Sequence, residues 1–216
     1  MLNNLSTKKK LMLLPITFVV IVIVCALVFS YFNQINNQRI KTATQTDIFI
    51  QQVLKGRISV YQFLRVPSEQ NAQKVKSDFK ELDNFVENLK PFLTEKENID
   101  LSNQILKLSA DYISNFDKFY QKRISDYNNG IQNESDEIST IIKQMVTVGL
   151  ELEEKLALMN KNTIELKSKS EKTMTIVLIL ISIISIIIFL TFSIILSNQL
   201  INSLKNFQKG LLSFFG

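Results

Sequence analysis

Histidine is absent from the 216 residues, cysteine occurs once, at Cys25, and the chain holds only five glycines and three prolines. With one cysteine there is no intramolecular disulfide, and without histidine there is no zinc site of the usual Cys/His type. A Cys/His or Ser/His nucleophilic pair is excluded as well. Nothing else in the chain matches an active-site motif, so it is read as a protein that is not an enzyme and for which no cofactor is expected.

What is abundant is long apolar sequence. Met174 to Leu196 runs for some 23 residues without a charge; at ~1.5 Å per helical residue that is about 35 Å, enough to cross a hydrocarbon core of ~30 Å. Leu11 to Phe32 is a second charge-free run and follows Lys8, Lys9 and Lys10. Its apolar part, about 22 residues, exceeds the 7 to 15 of a signal-peptide core, so it reads as an uncleaved anchor in which Pro15 bends at most the first turns.

The formal charge is +5, from 25 Lys plus Arg against 20 Asp plus Glu. The stretch from Gln34 to Lys172 is neutral, and the whole excess comes from Lys8, Lys9, Lys10, Lys205 and Lys209, which flank the apolar runs. By the positive-inside rule both termini are cytoplasmic and the insert lies outside. Because the high pI is then a topology signal, nucleic acid is not expected as a partner. The expected organisation is a cytoplasmic N-terminus over 1–10, membrane helix 11–32, an extracytoplasmic domain over 33–173, membrane helix 174–196 and a cytoplasmic amphipathic stub over 197–216.

Within the insert the apolar spacing is helical throughout. Gln34 to Val66 continues the first span and is stopped by Pro67, after which Ser68 caps a second helix. Ala72, Val75, Phe79, Leu82, Val86, Leu89 and Leu93 form its packing seam, with Pro91 near its end. Thr94 with Glu97 has the spacing of a capping box for a third helix, which carries Ile105, Tyr112, Phe116 and Phe119 on one side and runs to about Tyr127. Asn128, Asn129 and Gly130 make a turn. A fourth helix, from near Asn133, repeats Ile138, Ile142, Met145, Gly149, Leu152, Leu156, Met159, Thr163 and Leu166 at heptad positions. No proline or glycine separates this helix, Glu134 to Lys172, from the span that follows. The fold class is therefore all-α: a membrane-anchored antiparallel four-helix bundle with two transmembrane helices.

The first helix of the insert has two seams. Phe49, Val53, Gly56, Val60 and Phe63 form one; Ala43, Asp47, Ile50, Leu54, Arg57, Tyr61 and Leu64 form the other, about 100° around the helix. A second seam predicts a partner, most simply a second copy in a homodimer. After the second span, Leu200, Leu204, Phe207, Leu211 and Phe214 or Phe215 oppose Asn202, Lys205, Asn206 and Lys209, the pattern of an interfacial helix.

The order span, four-helix insert, span and the helical tail LINSLKNFQKGLLSFF resembles the N-terminal half of bacterial methyl-accepting chemotaxis receptors with a four-helix-bundle sensor. Ser203 stands before Leu204 where the HAMP connector pattern of those receptors has proline. The resemblance implies a multi-pass protein of the bacterial inner (plasma) membrane that senses a small molecule or a periplasmic partner protein. It also implies transmission by a displacement of the second span. No methylated coiled coil or kinase-contacting tip appears up to Gly216, so the output is expected from elsewhere. A histidine-kinase input half shares this layout, and a membrane tether or coiled-coil scaffold without ligand is the competing class. Arginines hold carboxylates in the resembled family, which makes Arg57 the first candidate, with Tyr61 one turn on; Arg65 and Arg123 follow. A guanidinium fork suits a carboxylate or an inorganic oxyanion. For Arg57 the competing reading is snorkelling or pairing with an acid such as Asp47 of a neighbouring subunit, and for Arg65 and Arg123 a solvated role.

Overall fold

The computed structural model describes residues 7–131 and 135–215, without the side chains of 7–11, 14, 214 and 215. The expected start of the fourth helix at Asn133 or Glu134, the side chains of Lys8, Lys9 and Lys10, and those of Phe214 and Phe215 lie outside this description. The described residues form four α-helices and no strand: α1 (Thr7–Arg65), α2 (Glu69–Leu89), α3 (Lys96–Asn128) and α4 (Asp136–Phe215). They divide into a polar unit, Asn37–Lys169, and an apolar unit made of Met1–Asn36 and Ser170–Gly216.

Local chemistry sets the helix ends of the polar unit. Beyond α1, Ser68 caps α2 by accepting from the Asn71 backbone N–H at 3.2 Å, which satisfies one of the orphan donors of the first turn. Pro91 closes α2 in a 3-10 turn, Lys90–Phe92. The capping box expected at Thr94 and Glu97 does not form. Glu95 is the N-cap residue of α3, without a side-chain cap, and the Thr94 hydroxyl instead donates to Glu95 Oε1 at 3.3 Å. That carboxylate is also drawn to Arg39 at 2.8 Å, so a charge-assisted bond across to α1 displaces the local capping pattern. At the other end of α3, Gly130 adopts φ +70°, and the N–H groups of Gly130 and Ile131 return to the carbonyls of Tyr127 and Asp126. This is a Schellman stop, and its left-handed residue favours glycine.

The core of the polar unit draws on all four helices. The expected seam of α2, the aromatic side of α3, and Ile138, Met145, Leu152, Leu156 and Met159 of α4 are all buried in it. So is the whole first seam of α1, Phe49, Val53, Gly56, Val60 and Phe63. Partners fall in number along α4 as they rise along α1: Thr46 meets Thr163 at 2.7 Å, and Arg57 meets Glu153 at 2.8 Å. The same inverse order holds between α1 and α2, where Gln52 meets Asp78 and Gln62 meets Lys74. It holds again between α2 and α3, where Lys76 pairs with Asp117 and Phe79 stacks on Tyr112. The buried Thr46–Thr163 pair, joined by Asn160 Oδ1 at 3.0 Å, puts a polar layer inside the apolar seam. A slip of either helix breaks this cross-helix bond and leaves Thr46 and Thr163 only their bonds to the Ala43 and Asn160 carbonyls of their own helices, so the layer favours one register.

In the apolar unit α1 and α4 also meet. Phe18 packs edge-on against Phe189 with centroids 6.1 Å apart, and Cys25 Sγ lies 3.4 Å from Ser185 Oγ. Each helix contains a stretch long and apolar enough to cross a membrane, with none of that stretch buried. Phe18, Val20, Ile183 and Ile187 stand exposed.

Candidate functional site

One layer of the polar unit is built around two glycines and two rings. Phe79 of α2 and Tyr112 of α3 stack with centroids 4.5 Å apart and planes at 11°. A Cβ at Gly56 of α1 would sit 3.0 Å from the Phe79 ring, and one at Gly149 of α4 would sit 3.3 Å from the Tyr112 ring. The rings take the space that side chains would take at these two helix positions, and Gly149, Phe79 and Tyr112 line an opening between α1 and α4.

That opening is a cavity of about 170 Å³. Its deeper wall is made by Val53, Val60, Phe79, Tyr112, Phe119, Met145 and Leu152, all buried. Its rim carries Arg57, Tyr61, Val146, Leu150 and Glu153. Tyr61, Val146 and Leu150 are exposed by 63%, 56% and 61%, which identifies this side as the mouth. Arg57 Nη1 donates to Glu153 Oε1 at 2.8 Å across the rim, joining α1 to α4. The Tyr61 hydroxyl and then the Glu153 carboxylate hold the Arg57 guanidinium still further toward its charged form. Burial pushes the Tyr112 hydroxyl up to about 12, against an opposing pull from the nearby Arg57 charge. The site therefore combines an apolar, aromatic interior with one self-neutralised ion pair. Such a lining suits the binding of a small molecule.

Of the four residues singled out by sequence, Arg57 and Tyr61 line this cavity and Arg65 and Arg123 do not. Arg65 is exposed at the end of α1, and Arg123 is half-buried on α3 with its Nε unpartnered. The acid facing Arg57 is Glu153 of the same chain, where Asp47 of a neighbouring subunit had been one expectation; Asp47 itself is exposed. Sequence reading missed Glu153, Val146 and Leu150, which lie off the heptad seam of α4. The available signal was Gly149, a residue without a side chain at a heptad position among large apolar neighbours.

Elsewhere in the unit, Asp78 is buried and receives the Ser59 hydroxyl in a short hydrogen bond, with Lys55 Nζ at 3.3 Å. Lys55 also reaches Glu81 at 2.7 Å, and Gln52 closes the cluster by donating to the Asp78 carbonyl and to Glu81. These groups are bonded chiefly to one another. Among the described residues no His/Cys/Asp/Glu group is arranged to hold a metal ion. No family model, curated protein or solved structure matches the chain.

Proposed function

We propose that this chain is the sensing part of a transmembrane chemosensory receptor. On this reading the polar unit is an antiparallel four-helix bundle outside the membrane, and α1 and α4 continue into two membrane spans whose far ends are cytoplasmic. The observation that carries it is the cavity's position between α1 and α4, the two helices that themselves contain the charge-free stretches. A small molecule bound there touches both helices at once. Its differential affinity for two packings of α1 against α4 biases the balance between them, and α4 passes the difference inward as a small piston, tilt or rotation.

The inverse pairing order and the shared apolar core support the bundle. The five flanking lysines support the orientation. A homodimer is part of the proposal, supported by the second seam of α1, along which Leu54 and Tyr61 remain exposed. Cysteines introduced along the second span in a Cys25→Ser background, at Ile183, Ile187 and Leu190 in turn, test the transmission step. Disulfide formation between copies should change rate at one or more positions when a ligand occupies the cavity. Equal rates at every position with a ligand shown to bind contradict signalling through α4, and a screen in which no small molecule stabilises the polar unit favours a tether or scaffold.

A further inference from the structure

The cavity's charges and its volume together specify a class of ligand. At about 170 Å³ the space matches an apolar cavity of the size that admits a benzene-sized body. Phe79 and Tyr112 supply aromatic rings, and Met145 a polarizable thioether, to its deeper wall. The only charges on it, Arg57 and Glu153, are already bonded to each other at 2.8 Å. An anionic ligand has to take Arg57 from Glu153 and then lies beside a freed carboxylate of its own sign. A cationic ligand meets the mirror problem at Arg57. An uncharged body enters with the pair intact and gains the burial of its apolar surface, without paying to desolvate a charge.

We propose that the cavity takes a small, uncharged aromatic molecule of about benzene to phenol size, and that the Arg57–Glu153 pair closes over it. This inference rests on the reading of the cavity as the sensing site, and it replaces the carboxylate or oxyanion expected from Arg57 alone. The pair works as a latch between α1 and α4, which ties occupancy of the cavity to the spacing of the two helices.

The test uses the full chain in lipid nanodiscs and ligand-observed fluorine NMR with three ring compounds: fluorobenzene, 4-fluorobenzoate and 4-fluorophenylalanine. Each is compared with empty nanodiscs and with two variants, so that partition into lipid is subtracted. Gly149→Leu fills the cavity, and Val146→Phe covers its mouth from an exposed position where folding is not at stake. Fluorobenzene should bind the natural chain at least about tenfold more tightly than either variant, a difference of ~1.4 kcal/mol. Glu153→Gln should improve 4-fluorobenzoate relative to fluorobenzene, because it frees Arg57 for an anion. Tighter binding of 4-fluorobenzoate or 4-fluorophenylalanine than of fluorobenzene to the natural chain overturns the ligand class while the cavity stands as a site. Binding of none of the three above the filled variant overturns the cavity as a small-molecule site, an outcome separate from the sidedness of the chain. Loss of fluorobenzene binding on passing from one to two copies per nanodisc overturns the proposal by showing that a second copy occupies the mouth.

Discussion

Replacing Gly56 and Gly149 with alanine, singly and together, probes the layer from which the cavity is built. A relaxed carbon–carbon contact needs ~3.5 Å. The added methyl starts 3.0 Å from Phe79 at position 56 and 3.3 Å from Tyr112 at position 149, so the rings must yield by about 0.5 Å and about 0.2 Å respectively to reach that contact. Alanine gains ~1 kcal/mol over glycine in a helix interior, and overpacking costs ~1–3 kcal/mol. Gly149→Ala should therefore stay within about 0.5 kcal/mol of the natural chain. Gly56→Ala should lose about 1 kcal/mol, the larger displacement outweighing the helix gain. In either single variant the stacked pair relaxes away from the methyl. In the double variant Phe79 and Tyr112 are each pressed, and they already stack at 4.5 Å, so the loss should exceed the sum of the singles by about 1 kcal/mol. Urea unfolding of the full chain in nanodiscs, followed by tyrosine fluorescence in a protein without tryptophan, measures this. Additivity within ~0.3 kcal/mol would refute the claim that the two rings are coupled between the two glycines.

Two further outcomes follow from buried polar groups. The folded-state pKa of Tyr112 is raised from 10.0 to about 12 by burial. The unfolded chain therefore loses this proton first, and stability should fall by about 1.4 kcal/mol per pH unit from pH ~10 to ~12. Tyr112→Phe should flatten that dependence, and an unchanged slope contradicts the buried hydroxyl. Asp78→Ala should cost ~1–3 kcal/mol, because it strands the buried Ser59 hydroxyl. Lys55→Ala should cost under ~1 kcal/mol, because the lysine side chain is half-exposed. Denaturant midpoints in the reverse order count against this account of the cluster.

The helices and their buried faces were legible because periodicity is a local property. The seam Ala72 to Leu93 and the heptad from Ile138 to Leu156 follow from 3.6-residue spacing alone, and the structure buries them accordingly. The start of α3 was misread because Thr94 and Glu97 satisfy a local capping rule, while Glu95 answers to Arg39, which is 56 positions away in the chain. Long-range pairing is invisible to spacing. For the same reason Arg57 was legible as unusual on its seam, but Glu153, 96 positions on, was not. The cavity is lined by Gly149 of α4 and by residues of α1, α2 and α3 that meet only in three dimensions, with a faint trace in sequence at Gly149. Arg65, and Arg123 beside the aromatic side of α3, do not line this cavity, because a cation's position in the sequence does not fix which helices its side chain faces.

The account depends most on a membrane lying between the cavity-bearing unit and the two ends of the chain. Single cysteines in a Cys25→Ser background, at Asn129 in the turn after α3 and at Asn206 beyond the second apolar stretch, test this directly in intact cells with a membrane-impermeant maleimide; both positions are exposed. The predicted result is labelling of the Asn129→Cys chain in intact cells and of the Asn206→Cys chain only after the cells are opened. Labelling of both in intact cells, or the reverse pattern, contradicts the account.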